Sequence, residues 1–157
     1  MQAGESVLRL ATLQRLGGAE RIVRTHLDTV ISTLTPAEQD HAARIFHHLV
    51  TPSGTKIAHS VPDLAEYSGL TPAQLEPVLE KLSSSSMRIL RPVAPPPDQA
   101  AVSRFEIFHD VLAAPILDWR TRYVHAVEQA AAPARRLAQR APALQRPRQQ
   151  PAEAPAR

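Results

Sequence analysis

The sequence predicts a mainly α-helical domain with one small β-hairpin. Three observations support this fold class: apolar residues recur at helical spacing along most of the chain, Thr-Pro pairs give two helices a start signal, and two short alternating segments flank a proline-rich loop. The predicted order over residues 35–132 is helix, short strand, helix, helix, strand, loop, strand and long helix. This is the order of a winged helix-turn-helix, and an ordinary mixed helical domain with one hairpin is the alternative.

Residues 1–34 are predicted to form helical lead-in segments before the winged helix. The first helix, over 7–16, stops at Gly17-Gly18, because glycine is typical of a helix C-terminus. The second helix runs over 19–34. It places six apolar residues on one face: Ile22, Val23, Leu27, Val30, Ile31 and Leu34.

Three helices, over 36–50, 61–68 and 71–83, are expected to form a trihelical core. Thr35 is the predicted N-cap of the first of them, with proline at the first helical position and glutamate at the capping-box position. The third helix contains Pro77, which removes one backbone hydrogen bond and is expected to kink or delay the helix.

The wing is a predicted β-hairpin that follows the third core helix. Its strands are 87–93 and 103–108, joined by the stiff, proline-rich loop 94–98. A long helix over 110–132 closes the domain, and Pro115 is expected to interrupt its first turns.

Residues 133–157 are predicted to be a disordered tail. The segment has five prolines among Ala, Arg and Gln, so it cannot bury enough apolar surface to offset the entropy of ordering. It carries six arginines and one acidic residue, whereas the rest of the chain has twelve basic and fourteen acidic residues. The sequence pI of about 9.9 therefore comes from the tail and is a poor guide to partners.

The composition excludes several classes of protein. The absence of cysteine excludes disulfides, thiolate metal sites and a cysteine nucleophile. No apolar run approaches the ~20 residues that a membrane span needs, and no secretory signal opens the chain, so we expect a cytoplasmic protein with no membrane partner. His41, His47 and His48 have the wrong spacing for a metal site, and we predict no metal ligand.

A winged helix that reads DNA needs hydrogen-bond donors on its third core helix and cations around that helix. This helix offers Gln74 and Lys81. It also carries Glu76 and Glu80, whose carboxylates repel phosphates, so nucleic acid is not the partner we expect. If the domain does bind DNA, the candidate phosphate contacts are the wing residues Arg88, Arg91 and Arg104.

One segment, residues 105–120, reads Phe-Glu-Ile-Phe-His-Asp-Val-Leu-Ala-Ala-Pro-Ile-Leu-Asp-Trp-Arg. Together with the stretches 16–20, 34–46 and 49–52, it resembles the winged-helix region that follows the nucleotide-binding core of bacterial STAND NTPases, the signal-transduction ATPases with numerous domains. The resemblance covers about residues 7–130 and rests on the order and spacing of these stretches. It implies that the lead-in helices end the helical region of the ATPase.

In that family the winged helix is a regulatory lid that packs on the ATPase core and helps to hold bound ADP in the inactive state. Related immune receptors carry a Met-His-Asp motif after the wing, and its histidine reaches the nucleotide phosphate. Phe108-His109-Asp110 is similar, with Phe in place of Met. The resemblance implies that His109 senses the nucleotide and that Asp110 starts the next helix. The alternative is a structural corner in which His109 is hydrogen-bonded internally.

The sequence departs from these NTPases because it has no GxxxxGK[ST] phosphate loop and no apolar strand that ends in an acidic pair for Mg²⁺. We therefore expect no catalysis and no cofactor for the chain by itself. ADP or ATP with Mg²⁺ is expected in the ATPase core, either of a longer parent or of a neighbouring chain.

The function predicted from the sequence is that of a regulatory winged-helix module that contacts an ATPase core and its bound ADP. A small DNA-binding transcriptional regulator is the alternative from a different class. A third interpretation is a stand-alone adaptor that binds a partner through the last helix, whose interface candidates are Trp119, Arg120 and Arg122. Trp119 has a competing prediction, which is packing against the wing. The oligomeric state cannot be read from the sequence.

Overall fold

The computed structural model describes residues 18–97 and 102–140 of the chain. The predicted helix over 7–16 and the part of the tail beyond residue 140 lie outside the described residues.

Four helices precede the wing. Their bounds are Gly18–Ser32 (α1), Pro36–Leu49 (α2), Val61–Ser68 (α3) and Pro72–Ser83 (α4). These bounds confirm the second lead-in helix and the three core helices. α4 continues through Pro77 rather than ending there.

Side-chain caps define the starts of α2 and α3. The Thr35 N–H donates to Glu38 Oε2 at 2.9 Å, and the Glu38 N–H donates to Thr35 Oγ1 at 3.3 Å, which is the predicted capping box. Ser60 and Asp63 make the same reciprocal pair, a cap that was not predicted, at 3.2 Å in each direction. Gly69 ends α3 with a φ of 68°, a left-handed conformation that glycine adopts without steric cost.

A three-stranded antiparallel sheet packs with these helices. Its strands are His59–Ser60 (β1), Leu90–Val93 (β2) and Arg104–Ile107 (β3), in the spatial order β1-β3-β2. The central strand β3 places Phe105 opposite His59 and Ile107 opposite Leu90. Three core helices with a sheet of this order confirm the predicted mainly α, winged-helix-like fold class.

The start of the first wing strand was predicted wrongly. The strand begins at Leu90, not at Met87, because the chain turns directly after α4. The N–H groups of Met87 and Arg88 both donate to the Ser84 carbonyl, at 3.1 and 3.0 Å, and Arg88 has a φ of 50°. The alternation of apolar and polar residues cannot reveal this turn, because the same alternation continues through the residues of the turn. The short strand before α3 lies at His59–Ser60.

One hydrophobic core joins the helices and the sheet. Its largest fully buried side chains are Phe46, Leu27, Ile45, Leu49, Leu64, Leu75, Leu79, Leu82, Ile89, Leu90, Ile107 and Ile116. Ile22 is 44% exposed, so its predicted place on the buried face of α1 is wrong. Leu27 is the first fully buried residue of α1, and before it only Val23 packs against the core.

A 3₁₀ turn at Asp110–Leu112 leads from β3 into the last helix, Ala113–Arg140 (α5). Pro115 is the third residue of this helix, where the backbone N–H has no intrahelical partner in any case, so, contrary to the prediction, it does not interrupt the first turns. None of the described helices is both long enough and apolar enough to cross a membrane.

α5 belongs to two compact units of the chain, one that reaches Tyr123 and one that begins at Val124. In the described part of the second unit nearly all side chains are exposed. The helix includes residues 133–140, for which the composition predicts disorder, and it contains Pro133. Alanine and arginine have high helix propensity, which favours continuation of the helix there. The division into lead-in, winged helix and tail stays a prediction.

Candidate functional site at the strand-to-helix corner

The two predicted sensor residues lie at the corner where β3 passes into the last helix. β3 ends at Ile107, which is completely buried, and the Phe108 N–H donates to the Ile89 carbonyl at 2.8 Å. The next four residues are all exposed: Phe108, His109, Asp110 and Val111. A buried strand end therefore fixes the position of an exposed corner.

His109 is the N-cap of the 3₁₀ turn. Its ring Nδ1 accepts a hydrogen bond of 3.4 Å from the Val111 N–H. In the neutral ring with an accepting Nδ1, the proton is on Nε2. His109 therefore combines the internal hydrogen bond of a structural corner with an exposed Nε2–H donor. Asp110 is the first residue of the turn, as expected for the residue that starts the next helix, and His109 is its N-cap.

Lys56 links the corner to the wing. Its Nζ lies 3.4 Å from Asp110 Oδ1 and 3.4 Å from Glu106 Oε1. On β2, directly opposite Glu106, Arg91 Nη2 lies 2.5 Å from the same Glu106 oxygen. The Glu106 carboxylate thus contacts both Lys56 and Arg91. Lys56 in turn contacts Asp110, the residue that follows His109.

Glu106 remains charged although its side chain is only 12% exposed. Burial raises the pKa of this carboxyl, but the hydrogen bonds and positive charges of Arg91 and Lys56 outweigh burial and lower the pKa below its ordinary value. The group is therefore a stable anion that orients the two cations.

The remaining two wing arginines also make intramolecular contacts. Arg104 Nη2 donates to the Ala58 carbonyl at 2.6 Å, which ties β3 to the segment before β1. Arg88 Nε donates to the Ser85 carbonyl at 3.1 Å, and its guanidinium lies 5.9 Å from the centre of the Phe108 ring. These contacts organise the wing, and a duplex phosphate would have to compete with them.

The exposed face of α4, which would enter a DNA groove, is acidic. Gln74 uses its Oε1 to accept the first backbone N–H of the α4 cap at 2.9 Å, and Lys81 Nζ lies 2.5 Å from Glu38 Oε1 on α2. Glu76 and Glu80 are exposed. The Lys81 ammonium is thus engaged within the protein and the Gln74 side chain is held by the cap through its Oε1, while the carboxylates of the helix face solvent.

Of the three predicted interface residues, Trp119 is buried. It is 8% exposed, it packs edge-on against Phe46 of α2 at a ring distance of 5.9 Å, and it stacks on Tyr123 at 5.2 Å. Its aromatic partners are therefore on the helices, and its ring is not an exposed anchor. Arg120 is half-buried. Arg122 is exposed and contacts two carboxylates, one on α1 at 3.4 Å and one on α5 at 3.2 Å.

Among the described residues, no three His, Cys, Asp or Glu side chains are grouped so that they could hold a metal ion. His47 and His48 lie 4.8 Å apart between ring centres, and His48 lies 5.6 Å from the ring of Tyr67. Burial lowers the pKa of both imidazoles, and the nearby charge of Arg120 lowers each further.

Comparison with sequence models of protein families matches the chain to the novel STAND NTPase 1 family over residues 1–152. The chain belongs to this family. Comparison with curated proteins and with solved structures gave no match. The matched range includes the His109 corner and every described element.

Two residues of the corner in this novel STAND NTPase 1 protein were missed from the sequence, Lys56 and Glu106. The long-range pairing of β1 with β3 brings the segment of Lys56 to the wing, so no local pattern joins the two residues. Glu106 gave no local signal either, since a charged residue between the apolar Phe105 and Ile107 is the ordinary alternation of a strand with one exposed face.

Proposed function

We propose that this chain is the regulatory winged-helix module of a STAND-type NTPase, and that it packs on an ATPase core with His109 directed at the phosphates of bound ADP. The single observation that supports this proposal is the hydrogen bond between the His109 ring and the backbone of the turn. Its Nδ1 is occupied by the Val111 N–H, and its Nε2 is left as a donor at an exposed corner. A phosphate oxygen is a suitable acceptor for that donor, and a hydrogen bond to a charged group is stronger than one between neutral groups.

The surroundings of His109 support a protein contact at the same place. Phe108 is 38% exposed and Val111 is 54% exposed, so apolar side chains flank the imidazole on both sides along the chain. Covering apolar surface is the main favourable contribution to most protein association. An ATPase core that covers Phe108 and Val111 would also exclude water from the hydrogen bond to phosphate.

The nucleotide would be held mainly by that core. The sequence lacks a phosphate loop, and the Lys56 ammonium at the corner is already engaged by Glu106 and Asp110. His109 fits one phosphate contact, and the phosphate loop and Mg²⁺ of the core would supply the rest of the binding. The module therefore acts by slowing the release of ADP and performs no catalysis itself.

DNA binding is the competing function, and it has weaker support. Its candidate contacts, Arg88, Arg91 and Arg104, all have intramolecular partners, and α4 presents carboxylates where phosphates would lie. Phosphate neutralisation supplies most non-specific DNA affinity, so an acidic recognition face works against it.

The test is to co-express the full chain with a STAND ATPase core that carries its own phosphate loop and to measure the release of fluorescent ADP. We expect the wild-type chain to slow the release of ADP from the core. With His109→Ala, release should be at least about tenfold faster than with the wild-type chain, since a hydrogen bond to a charged group contributes about 1.5–3 kcal/mol. His125→Ala is the matched control, because His125 is an exposed histidine on α5.

Equal effects of His109→Ala and His125→Ala would contradict a role for the corner in nucleotide retention. A chain that forms no complex with such a core, whether ADP is present or not, would contradict the packing proposal itself.

A further inference from the structure

We propose that the groove between α4 and the wing docks a partner-protein segment that carries a basic residue beside an apolar anchor. The groove is open, with a volume of about 530 Å³, which is within the range of ligand-binding clefts. It uses none of the residues of the His109 corner, so this proposal goes beyond nucleotide sensing and does not depend on it.

The floor of the groove is apolar and comes from four elements. Val61 of α3, Leu79 of α4, Pro92 of β2 and Phe105 of β3 line it. Pro92 and Phe105 are directly opposite each other on the paired strands. Pro92 is exposed, and Val61 and Phe105 are half-buried. Burial of this remaining apolar surface by a leucine- or proline-sized side chain is favourable.

The α4 side of the groove is acidic. Glu76 and Glu80 both line it, are exposed, and lie four positions apart on the helix, where like charges destabilise it. Neither has an ion pair within the described part of the chain. The described carboxylates that do have a cationic partner are Asp28, Glu38, Asp40, Glu106, Asp110 and Asp118. A cation in the groove would relieve the repulsion between the two glutamates.

Charge complementarity therefore selects the occupant. An arginine or lysine can reach the two carboxylates while its neighbour enters the apolar floor, and an arginine can contact a carboxylate with two parallel hydrogen bonds. A DNA duplex would bring phosphates to the same carboxylates and would leave the apolar floor uncovered. The face that reads DNA in other winged helices is thus suited here to a basic protein segment.

The experiment selects binders from a random-peptide display library on the full chain and on two double variants. Glu76→Lys with Glu80→Lys reverses the charge on the α4 side of the groove. It keeps a like-charged pair at the same spacing, so the helix is perturbed little. Glu20→Lys with Glu66→Lys is the matched control, because these glutamates are exposed outside the groove and the change in net charge is the same.

On the wild-type chain we expect enrichment of peptides with a basic residue next to an apolar one. The affinity of the strongest peptide is expected to fall at least about tenfold in the groove variant and to stay within about twofold in the control, and the groove variant should enrich acidic peptides instead. Amide shifts of the labelled full chain locate the bound peptide.

Three results would overturn the proposal: no enrichment of basic peptides, an equal loss of affinity in the control variant, or shifts that fall outside the groove. Groove shifts caused by duplex DNA and by no peptide would also overturn it. Each of these outcomes leaves the ADP-release test of the His109 corner unaffected, so the two proposals can fail separately.

Discussion

Glu106 shows how one residue of β3 determines the local electrostatics of the corner. Its carboxylate is nearly buried, and a buried charge is costly unless it is paired. Arg91 and Lys56 supply the pairing, and their contribution outweighs burial, so the pKa is lowered. The folded protein therefore binds a proton at this group less readily than the unfolded chain does.

The lowered pKa has a defined consequence for stability. The contribution of Glu106 is fully present above the carboxyl pKa of the unfolded chain and is lost as the pH falls through the lower pKa of the folded state. We expect Glu106→Gln to reduce the free energy of unfolding at neutral pH by about 1–2 kcal/mol, since the charged hydrogen bonds are lost. We also expect its stability to fall less steeply with acid. Urea unfolding across the acidic range measures both effects.

Glu128→Gln is the control for this prediction, because Glu128 is exposed on α5. Its unfolding curve should match that of the wild-type chain at each pH. A Glu106→Gln variant with the wild-type acid dependence would show that other carboxylates, such as Glu38 and Asp63, whose pKa values are also lowered by hydrogen bonds, account for the acid sensitivity.

At the scale of elements, the internal proline of α4 is the clearest departure from an ideal helix. Pro77 lies in the helix interior, so the carbonyl of Ala73 lacks its usual donor. We expect Pro77→Ala to raise the free energy of unfolding by about 1–2 kcal/mol, because the gain in helix propensity is partly offset by a more flexible unfolded chain. Urea unfolding measures the change.

Pro72→Ala provides the comparison within the same helix. Pro72 is at the first helical position, where the missing N–H has no partner in any case, so this substitution should bring no gain. If both variants change stability equally, helix position is not the reason for the effect of Pro77→Ala.

The helices could be predicted from the sequence because their signals are local. Thr35 and Glu38 act across three residues, and Gly69 ends α3 through its own backbone conformation. The wing strand was placed less well, because the turn at Arg88 depends on hydrogen bonds to Ser84 that no side-chain pattern announces.

At the scale of the whole molecule, the candidate site was predicted only in part. The position of His109 followed from the family resemblance, and the structure adds the hydrogen bond that its Nδ1 accepts from the Val111 N–H. The partners Lys56 and Glu106 meet through long-range pairing, which a single sequence does not reveal. Trp119 was a candidate anchor because tryptophan is enriched at interfaces, but tertiary packing on Phe46 buries it.

The order of the sheet has a consequence for folding. α3 packs against α2 and α4, its neighbours along the chain, whereas β1 must find β3 across all of α3, α4 and β2, with His59 opposite Phe105. Contacts between residues that are far apart in the sequence form late, because the entropy of loop closure opposes them until other contacts compensate. The Lys56 links and the corner depend on that late pairing. We therefore expect amide hydrogen exchange of β1 and β3 to be faster than that of buried amides in α2 and α4; equal protection would show a single cooperative unit. On this account the sheet is a separate foldon, and the corner that carries His109 can open and close while the helical core stays folded.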